Sequence, residues 1–345
     1  MSSNHKSSHA QWGSRVGFIL AATGSAVGLG NIWKFPYMTG QSGGSAFVLT
    51  YLLCIAFIGL PILVAEWLIG RRGQKNPIHA MEDVAQQNRR SKAWKLVGVS
   101  GVLGSFLILS FYSVIGGCAV DYLFITASGA FNGMHGQATA SMFTGFLGHP
   151  RQPLTSHSIF MLLSVVIVAL GVSGGIERAS KLMMPALALV LLVLVAYGAF
   201  FTKSFGAAAA YLFSPNWSAI NGTVILAALG HAFFTLSLGM GIMMAYGSYL
   251  GQEVNLIKTA RTVVILDTVI ALFAGLAIFP LVFAHHLEPS SGPGLIFITL
   301  PIAFGNMTGG TLLGVLFFIL LTFAALTSSI SLLEPTVELL EEKPR

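Results

Sequence analysis

The sequence contains few charged residues: Asp, Glu, Lys and Arg make up 9% of its 345 residues, whereas soluble globular proteins carry about 25%. Hydrophobic residues account for 54% of the chain. This composition excludes an ordinary soluble globule and predicts a polytopic membrane protein with lipid around it. The chain has only two cysteines, Cys54 and Cys118, and both fall within apolar segments. Their setting favours structural packing over a disulfide or a metal site.

The sequence also lacks the patterns of an enzyme or of a nucleic-acid-binding protein. Its nine histidines lie mostly in polar ends and loops, and no nucleophile and base are paired as catalysis requires, so we predict no catalytic residues and no enzyme. The net charge of +6 is spread over short loops, so we predict no nucleic-acid partner. The first apolar run is longer than the roughly 7 to 15 residues of a signal-peptide core, and no cleaved signal is expected.

Eight apolar runs are long enough, at about 20 residues each, to cross the roughly 30 Å hydrocarbon core. They lie at residues 14–37, 42–69, 94–125, 158–174, 180–201, 222–250, 259–285 and 311–340. Fifteen of the 18 Lys and Arg residues fall on the side of the N-terminus, and only Lys34, Arg151 and Lys203 fall on the other. Because cytoplasmic loops carry an excess of Lys and Arg, the pattern predicts a cytoplasmic N-terminus.

Two of the eight runs are interrupted by polar and glycine-rich segments. Residues 24–36 of the first run read Gly-Ser-Ala-Val-Gly-Leu-Gly-Asn-Ile-Trp-Lys-Phe-Pro, and residues 234–241 of the sixth read Phe-Thr-Leu-Ser-Leu-Gly-Met-Gly. In hydrocarbon, unwound backbone persists only where it lines a cavity or holds a ligand. Close helix packing by glycine explains either segment alone. The matched pair instead indicates an inverted-repeat transporter with a binding site at the breaks.

Several polar residues at or near membrane depth need partners. A carboxylate at the bilayer centre costs on the order of 2.5 to 3.5 kcal/mol, so Glu66, Asp267 and Glu334 are expected to face a cavity or a partner. Glu334 could equally reach water near its helix end, whereas Asp267, well inside the seventh run, is the strongest candidate for touching an ion. Residues 327–329, Thr-Ser-Ser, either serve a site or bond to their own helical turn. His231, in the sixth run, is interpreted as structural.

Six motifs in a fixed order carry a resemblance to a known family. They are Trp-Gly-Ser-Arg at 12–15, the segment 24–36, Gly-Leu-Pro-Ile-Leu-Val-Ala-Glu-Trp at 59–67, Ser-Phe-Tyr at 110–112, Phe-Thr-Leu-Ser-Leu-Gly from 234 and Leu-Thr-Ser-Ser at 326–329. Over essentially its whole length the chain resembles bacterial members of the neurotransmitter:sodium symporter family.

The resemblance implies an all-α polytopic membrane protein with the leucine transporter-like inverted-repeat fold, broken in helices 1 and 6. A single transmembrane domain over 1–345 would contain a first five-helix repeat at 14–201 and a partial second repeat, helices 6 to 8, at 222–340. The family has about ten core helices, so the resemblance also implies a C-terminally truncated chain or a fragment that needs a partner. Localisation would be the bacterial inner membrane, among membrane lipids.

The family's sites imply two sodium ions and no organic cofactor. One sodium site would use Gly24, Val27, Ala324, Thr327 and Ser328. The other would use the substrate carboxylate together with Ala26, Asn31, Thr235 and Asp267. Oxygen ligands suit a hard cation, and the shared carboxylate would make ion and substrate affinity mutually dependent. Because Asp267 matches a neutral asparagine of the leucine transporter, a fixed carboxylate could replace chloride, and chloride-independent transport is expected.

The resemblance also implies an amino-acid substrate. Its carboxylate or amine would meet the backbone of residues 25–30 and the Tyr112 hydroxyl, with Phe234 closing over it. Gly28 stands where monoamine transporters place an aspartate, which favours a substrate with its own carboxylate. Met240 replaces a phenylalanine of the leucine transporter, and its flexible thioether suggests a broad hydrophobic or aromatic side chain. The full predicted substrate set is Ser25, Ala26, Gly28, Leu29, Gly30, Ile108, Tyr112, Phe234, Thr235, Ser237, Met240, Ser328 and Leu332.

The resemblance also implies residues that form gates at the two ends of the transport path. Trp12, Tyr249 and Glu342 match the cytoplasmic gate, with His9 in place of the usual arginine, and Lys34 matches an outer gate cation. Glu66 is expected to hydrogen-bond the unwound backbone of the sixth span. The predicted function is sodium-coupled symport of a neutral amino acid by alternating access; the alternative is a truncated, non-transporting amino-acid-binding fragment or sensor.

Overall fold

Apolar helices form the frame of the molecule. The computed structural model describes residues 11–287, 292 and 294–342, and every regular element in those ranges is helical. A helix satisfies its own backbone hydrogen bonds, as a hydrocarbon environment requires. The α-helices are α1 Arg15–Ala26, α2 Phe35–Gln41, α3 Ser45–Cys54, α4 Leu60–Gly73, α5 Pro77–Gln87, α6 Lys95–Ala127, α7 Gly136–Gly148, α8 Arg151–Ala169, α9 Glu177–Phe201, α10 Phe205–Phe213, α11 Gly222–Thr235, α12 Ile242–Ser248, α13 Leu256–Ala284, α14 Leu300–Gly305 and α15 Gly310–Glu341.

Six continuous segments among the described residues are long and apolar enough to cross a membrane. They are Ser45–Gly73, Lys92–Ala127, Arg151–Ala169, Val172–Phe201, Leu256–Ala284 and Gly310–Glu341. The predicted first span is a bent pair, in which α1 meets Gly30–Gln41 at 45°. The predicted sixth span consists of the short helices α11 and α12, separated by residues 236–241. Each of the eight predicted spans thus corresponds to one helical segment or one interrupted pair.

Four short helices outside the spans were absent from the sequence-based expectation: α5, α7, α10 and α14. Their apolar runs are too short to cross a bilayer, so a search for spans passes over them. The α5 helix has a clear start signal, because the side chain of Asn76 accepts hydrogen bonds from the amides of Ile78 and His79.

The interrupted helices occupy the centre of the bundle. Helix α1 packs against α9, α13 and α15, while α11 packs against α3 and α12 against α4. Because each interrupted pair is enclosed by continuous helices, the unwound residues 27–29 and 236–238 are buried. This enclosure satisfies the condition under which irregular backbone is tolerated at membrane depth.

The two ends of the bundle are closed by different segments. At the end that carries residue 12, called here the N-terminal end, the Trp12 indole donates to the carbonyl of Tyr246 at 3.1 Å, and Arg71 donates to the carbonyl of Val254 at 2.8 Å. At the opposite end, the Gly133 amide donates to the carbonyl of Gly305 at 3.0 Å. These contacts define the two ends without reference to a membrane.

Candidate functional site

The unwound backbone after α1 donates hydrogen bonds to two polar side chains. Val27, with φ −82° and ψ 97°, leaves the helical region directly after Ala26. The Leu29 amide donates to the Tyr112 hydroxyl at 3.1 Å, and the Gly28 amide donates to Oδ1 of Asn31 at 3.2 Å. Helix α6 therefore places the Tyr112 hydroxyl at the unwound backbone, where the sequence predicts the substrate carboxylate.

The break between α11 and α12 contains three residues with a left-handed backbone conformation. Ser237 has φ 55°, Gly239 has φ 75° and Gly241, the residue before α12, has φ 73°. Glycine adopts this region without the steric cost of a Cβ, whereas Ser237 is a non-glycine residue held in it. Glu66 Oε1 accepts a hydrogen bond from the Gly239 amide at 2.7 Å. The expected contact of Glu66 with the unwound backbone is confirmed.

The two breaks are joined to each other by serine hydroxyls. The Ser237 hydroxyl donates to the carbonyl of Ser25 at 3.1 Å, and the two hydroxyl oxygens lie 3.2 Å apart. The Ser328 hydroxyl from α15 donates to the same Ser25 carbonyl at 3.3 Å. Residues more than 200 positions apart in the chain thus converge on one carbonyl oxygen.

Asp267 stands at the centre of one polar cluster beside the breaks. Its side chain is fully buried on α13. The Asn31 amide group donates to Asp267 Oδ1 at 2.8 Å, and the Thr235 hydroxyl lies 3.0 Å from the same oxygen. The Tyr51 hydroxyl approaches Asp267 Oδ2 at 3.4 Å. The structure therefore brings together three of the residues predicted for one sodium site, with Tyr51 as an additional neighbour.

His231 lies next to this cluster without joining it. Its ring centroid is 5.1 Å from that of Tyr51 and 5.9 Å from that of Phe35. Neither ring nitrogen has a hydrogen-bond partner among the described residues, and the side chain is 1% exposed. These aromatic surroundings fit the structural interpretation made from the sequence.

Thr327 stands at the centre of a second oxygen cluster between α1 and α15. Its hydroxyl lies 3.1 Å from the carbonyl of Ala324 and 3.5 Å from the carbonyl of Val27. The helices approach closely here, since a Cβ added at Gly24 would lie 3.3 Å from Cβ of Thr327. The Thr327 hydroxyl thus bonds to its own turn and also faces the break in α1. Of the residues predicted for this sodium site, Gly24, Val27 and Ala324 lie at Thr327, whereas the Ser328 hydroxyl donates to the Ser25 carbonyl.

A cavity of about 20 Å³ lies between the breaks. Its lining consists of Ser25, Ala26, Gly28, Gly30, Ile108, Tyr112, Phe234, Ser237, Met240, Ser328 and Leu332. All eleven belong to the predicted substrate set. The other two members lie beside the cavity, with the Leu29 amide bonded to Tyr112 and Thr235 turned to Asp267. A volume of this size holds about one water molecule, so an amino acid requires the lining to move apart.

Two hydroxyl groups of the cavity lining, those of Ser328 and Tyr112, lie close to the backbone of Gly28. A Cβ added there would overlap the Ser328 hydroxyl and would lie 2.7 Å from the Tyr112 hydroxyl. The cavity wall therefore tolerates no side chain at this residue unless the two hydroxyls are displaced. None of the lining residues is charged.

The N-terminal end is closed by aromatic and carboxylate contacts. The rings of Trp12 and Tyr246 pack edge to face with centroids 5.2 Å apart, and those of Trp12 and Tyr249 lie 6.2 Å apart. The Tyr249 hydroxyl donates to Glu334 at 2.8 Å. Glu334 is 5% exposed, so of the two alternatives left open by the sequence, the buried partner is the one observed.

Two further carboxylates hold segments at the N-terminal end. Glu177 accepts from the Gly13 amide at 2.7 Å and from the Ser14 hydroxyl at 2.8 Å, which fixes the start of α1 against α9. Glu342 accepts from the Asn76 amide at 2.8 Å and lies 3.2 Å from Nδ1 of His79. His9, the expected partner of Glu342, lies outside the described residues.

Lys34 covers the cavity on the opposite side. Its ammonium group lies 3.9 Å from the ring centroid of Phe234, over the ring face, a geometry in which the ring attracts the cation. Phe234 itself lines the cavity. The predicted outer gate cation therefore sits above the residue predicted to close over the substrate.

Sequence reasoning missed Tyr51, Tyr246 and Glu177 as parts of this arrangement. Tyr51 lies in an apolar run with no flanking signal, and only tertiary packing brings it from α3 to Asp267 on α13. Glu177 lies between the fourth and fifth predicted spans, and only the packing of α1 against α9 brings Gly13 and Ser14 to its carboxylate. Tyr246 meets Trp12 through both its ring and its backbone carbonyl, and the carbonyl contact follows no side-chain pattern.

A multi-pass membrane protein in which two interrupted helices surround a central cavity has the architecture of a secondary transporter. The family model of the Sodium:neurotransmitter symporter family matches residues 9–140 and 137–344. The chain belongs to this family, which comprises symporters and no enzymes.

The chain is similar to several bacterial proteins along most of its length. It is 43% identical to the uncharacterized sodium-dependent transporter YhdH of Bacillus subtilis, a match that covers 94% of this chain and 71% of that protein. It is 36% identical to an uncharacterized sodium-dependent transporter of Haemophilus influenzae, covering 100% of this chain and 76% of the relative. The fold is similar to the crystal structure of MhsT in complex with L-phenylalanine, with a TM-score of 0.88, 48% identity, and coverage of 96% of this chain and 74% of MhsT.

Proposed function

We propose that this chain performs sodium-coupled symport of a neutral, hydrophobic or aromatic amino acid by alternating access, without a need for chloride. The observation that carries the proposal is that two oxygen clusters contain residues directly next in the chain to residues that line the cavity. Asp267, Asn31 and Thr235 form one cluster, and Thr327 with the carbonyls at the break in α1 forms the other. Carbonyl, hydroxyl and carboxylate oxygens are the donors that a hard cation prefers.

The free backbone at the break in α1 supports an amino-acid substrate. The Leu29 amide already donates to an oxygen, the Tyr112 hydroxyl, and an α-carboxylate would meet the same pair of groups. Its second oxygen would reach the Asp267 cluster, which would make sodium and substrate affinities depend on each other. The serine hydroxyls at 25, 237 and 328 would accept hydrogen bonds from the α-ammonium group.

The cavity lining supports an uncharged side chain. It offers Ile108, Met240 and Leu332 as apolar walls and no charged residue. A charged side chain placed here would lose its hydration without gaining a partner. MhsT, which resembles this chain at 48% identity, is described in complex with L-phenylalanine. We therefore assign this chain a substrate range from leucine to tryptophan.

The contacts at the two ends support alternating access. Trp12 and its aromatic neighbours close the N-terminal end, while Lys34 and Phe234 cover the opposite side. We propose that the N-terminal end faces the cytoplasm of a bacterial inner membrane, in line with the Lys and Arg bias. We further propose that residues 14–201 form a first five-helix repeat, that residues 222–340 form part of a second, inverted repeat, and that the two move against each other around the two breaks.

Uptake in proteoliposomes tests the proposal. Purified protein should accumulate radiolabelled L-phenylalanine when sodium is outside and potassium inside, and accumulation should vanish when external sodium is replaced by potassium. Equilibrium binding under the same two salts should follow the same pattern. Sodium-dependent binding without uptake would contradict symport and favour the non-transporting binding fragment. Equal binding in both salts would contradict sodium coupling itself.

Anion exchange tests chloride independence. Because the fixed carboxylate of Asp267 supplies a negative charge in the cluster, uptake should be unchanged when chloride is replaced by gluconate. Asp267→Asn removes that charge while keeping the size of the side chain, and it should weaken sodium-dependent binding in gluconate. A collapse of wild-type uptake in gluconate would refute the chloride-independent proposal and would leave the sodium proposal intact.

A further inference from the structure

The outward face of α13 changes from basic to apolar along its length. Lys258 and Arg261 are exposed on the first two turns, and Ile265 and Val269 continue the same face with 60% and 40% exposure. Residues three or four apart lie one above the other on a helix, so these four side chains form one stripe. We call it the α13 stripe. A groove at its basic end is lined by Asn255, Ile257, Lys258, Arg261, Thr262 and Ile265.

The depth of the stripe follows from the length of the helix. Helix α13 has 29 residues and is therefore about 43 Å long, longer than the roughly 30 Å hydrocarbon core. Its ends consequently extend into the headgroup layers. Arg261 is the last exposed charged residue before the apolar part of the stripe. The two cations thus lie at headgroup depth, while Ile265 and Val269 lie beside the acyl chains.

The two cations of the stripe have no acidic partner within 4.0 Å among the described residues. Among the other basic residues at the N-terminal end, Lys75 pairs with Asp83 at 2.6 Å and Arg71 donates to the carbonyl of Val254, whereas Arg89 and Arg90 also have no acidic partner within 4.0 Å among the described residues. The general excess of Lys and Arg in cytoplasmic loops accounts for the side on which Lys258 and Arg261 lie. It does not account for their alignment with an exposed apolar stripe.

We propose that the α13 stripe binds an anionic phospholipid, with its phosphate between Lys258 and Arg261 and an acyl chain along Ile265 and Val269. Charge complementarity selects a negatively charged headgroup over a zwitterionic one, since each cation near the surface adds attraction to anionic lipid. The apolar continuation selects a lipid over free phosphate, which has nothing to place there. The bound lipid would rest against the helix that carries Asp267.

A tryptophan reporter measures the lipid at this position directly. Ile265→Trp places an indole on the stripe, and quenching by brominated phosphatidylglycerol is compared with quenching by brominated phosphatidylcholine in vesicles. The parent protein, which contains five tryptophans, supplies the background. We expect a preference for phosphatidylglycerol of about 30-fold, the order that two cations near an anionic lipid provide. Adding Lys258→Gln and Arg261→Gln should reduce the preference to near onefold.

The matched control is Arg89→Gln with Arg90→Gln in the Ile265→Trp background. It removes the same charge from an exposed loop at the same end and should keep the preference. Helical circular dichroism and a thermal melt verify folding of each variant. A lipid preference that weakens with rising salt, measured with Lys258 and Arg261 both present, gives a second measurement without charge variants.

Three results would overturn the proposal: equal quenching by both lipids, a preference that survives loss of Lys258 and Arg261, or a preference lost equally in the control. Displacement of the preference by excess inorganic phosphate would also overturn it, because the site would then bind the anion without an acyl chain. None of these readouts requires transport, so they do not depend on the proposed function.

Discussion

Tyr112→Phe tests the assignment of the substrate carboxylate most directly. The substitution removes one hydroxyl, which in the structure accepts from the Leu29 amide at 3.1 Å inside the cavity lining. A hydrogen bond to a charged group contributes about 1.5 to 3 kcal/mol. We therefore expect the affinity for L-phenylalanine to fall by about 10- to 150-fold, measured by equilibrium binding in sodium.

The stability effect must be separated from the binding effect. Loss of the hydroxyl leaves the buried Leu29 amide without that acceptor, at a cost of about 1 to 3 kcal/mol, so Tm should fall as well. Tyr197→Phe is the matched control, because its hydroxyl donates to the carbonyl of Thr308 at 3.1 Å, far from the cavity. That variant should keep wild-type affinity.

A substrate analogue completes the cycle. L-phenylalaninamide lacks the carboxylate, so its affinity should change little between wild-type protein and Tyr112→Phe, whereas that of L-phenylalanine should drop. Equal affinity of the two proteins for L-phenylalanine would refute the reasoning. An equal loss for acid and amide would show that Tyr112 acts through packing and not through the carboxylate.

Three further substitutions have definite expected outcomes. Thr327→Val keeps the shape of the side chain but removes a hydroxyl of the second oxygen cluster, so sodium affinity should fall about tenfold. The control Thr322→Val loses only a hydrogen bond to its own turn and should bind sodium normally. Equal sodium affinity of the two variants would contradict the proposed sodium site at Thr327. Glu66→Ala leaves the Gly239 amide without its acceptor and should lower unfolding free energy by about 1 to 3 kcal/mol, and Glu66→Gln should restore most of it in a thermal melt. Gly28→Ala should abolish L-phenylalanine binding at unchanged helical content, because its methyl overlaps two lining hydroxyls; retained binding would show that the lining yields.

The transmembrane helices were predictable because hydrocarbon imposes length and composition on each of them separately. The breaks at residues 27–29 and 236–241 were predictable for the same reason, because polar residues and glycines would destabilise a helix that only crosses hydrocarbon. The short helices α5, α7, α10 and α14 were not, because no comparable constraint acts on segments at the bundle ends.

The candidate site likewise contains residues that the sequence predicted and residues that only the structure revealed. The residues of the cavity were named from family motifs, and the structure places eleven of them around one cavity. Three residues were not predicted from the sequence: Tyr51, which contacts Asp267, Tyr246, which contacts Trp12, and Glu177, which contacts the start of α1. Each of them contributes a contact between segments distant in the chain, and such contacts leave no local pattern.

By itself, the sequence determined that the chain is a membrane protein, where its helices run, and which two of them are interrupted, because these properties depend on local composition. Only the tertiary structure decided that Glu334 is buried against Tyr249, that the two breaks are joined through Ser25 and Ser237, and that the cavity has a volume of about 20 Å³. The physical reason is that hydrogen bonds and cavity volume depend on distances between segments, and helix packing sets those distances.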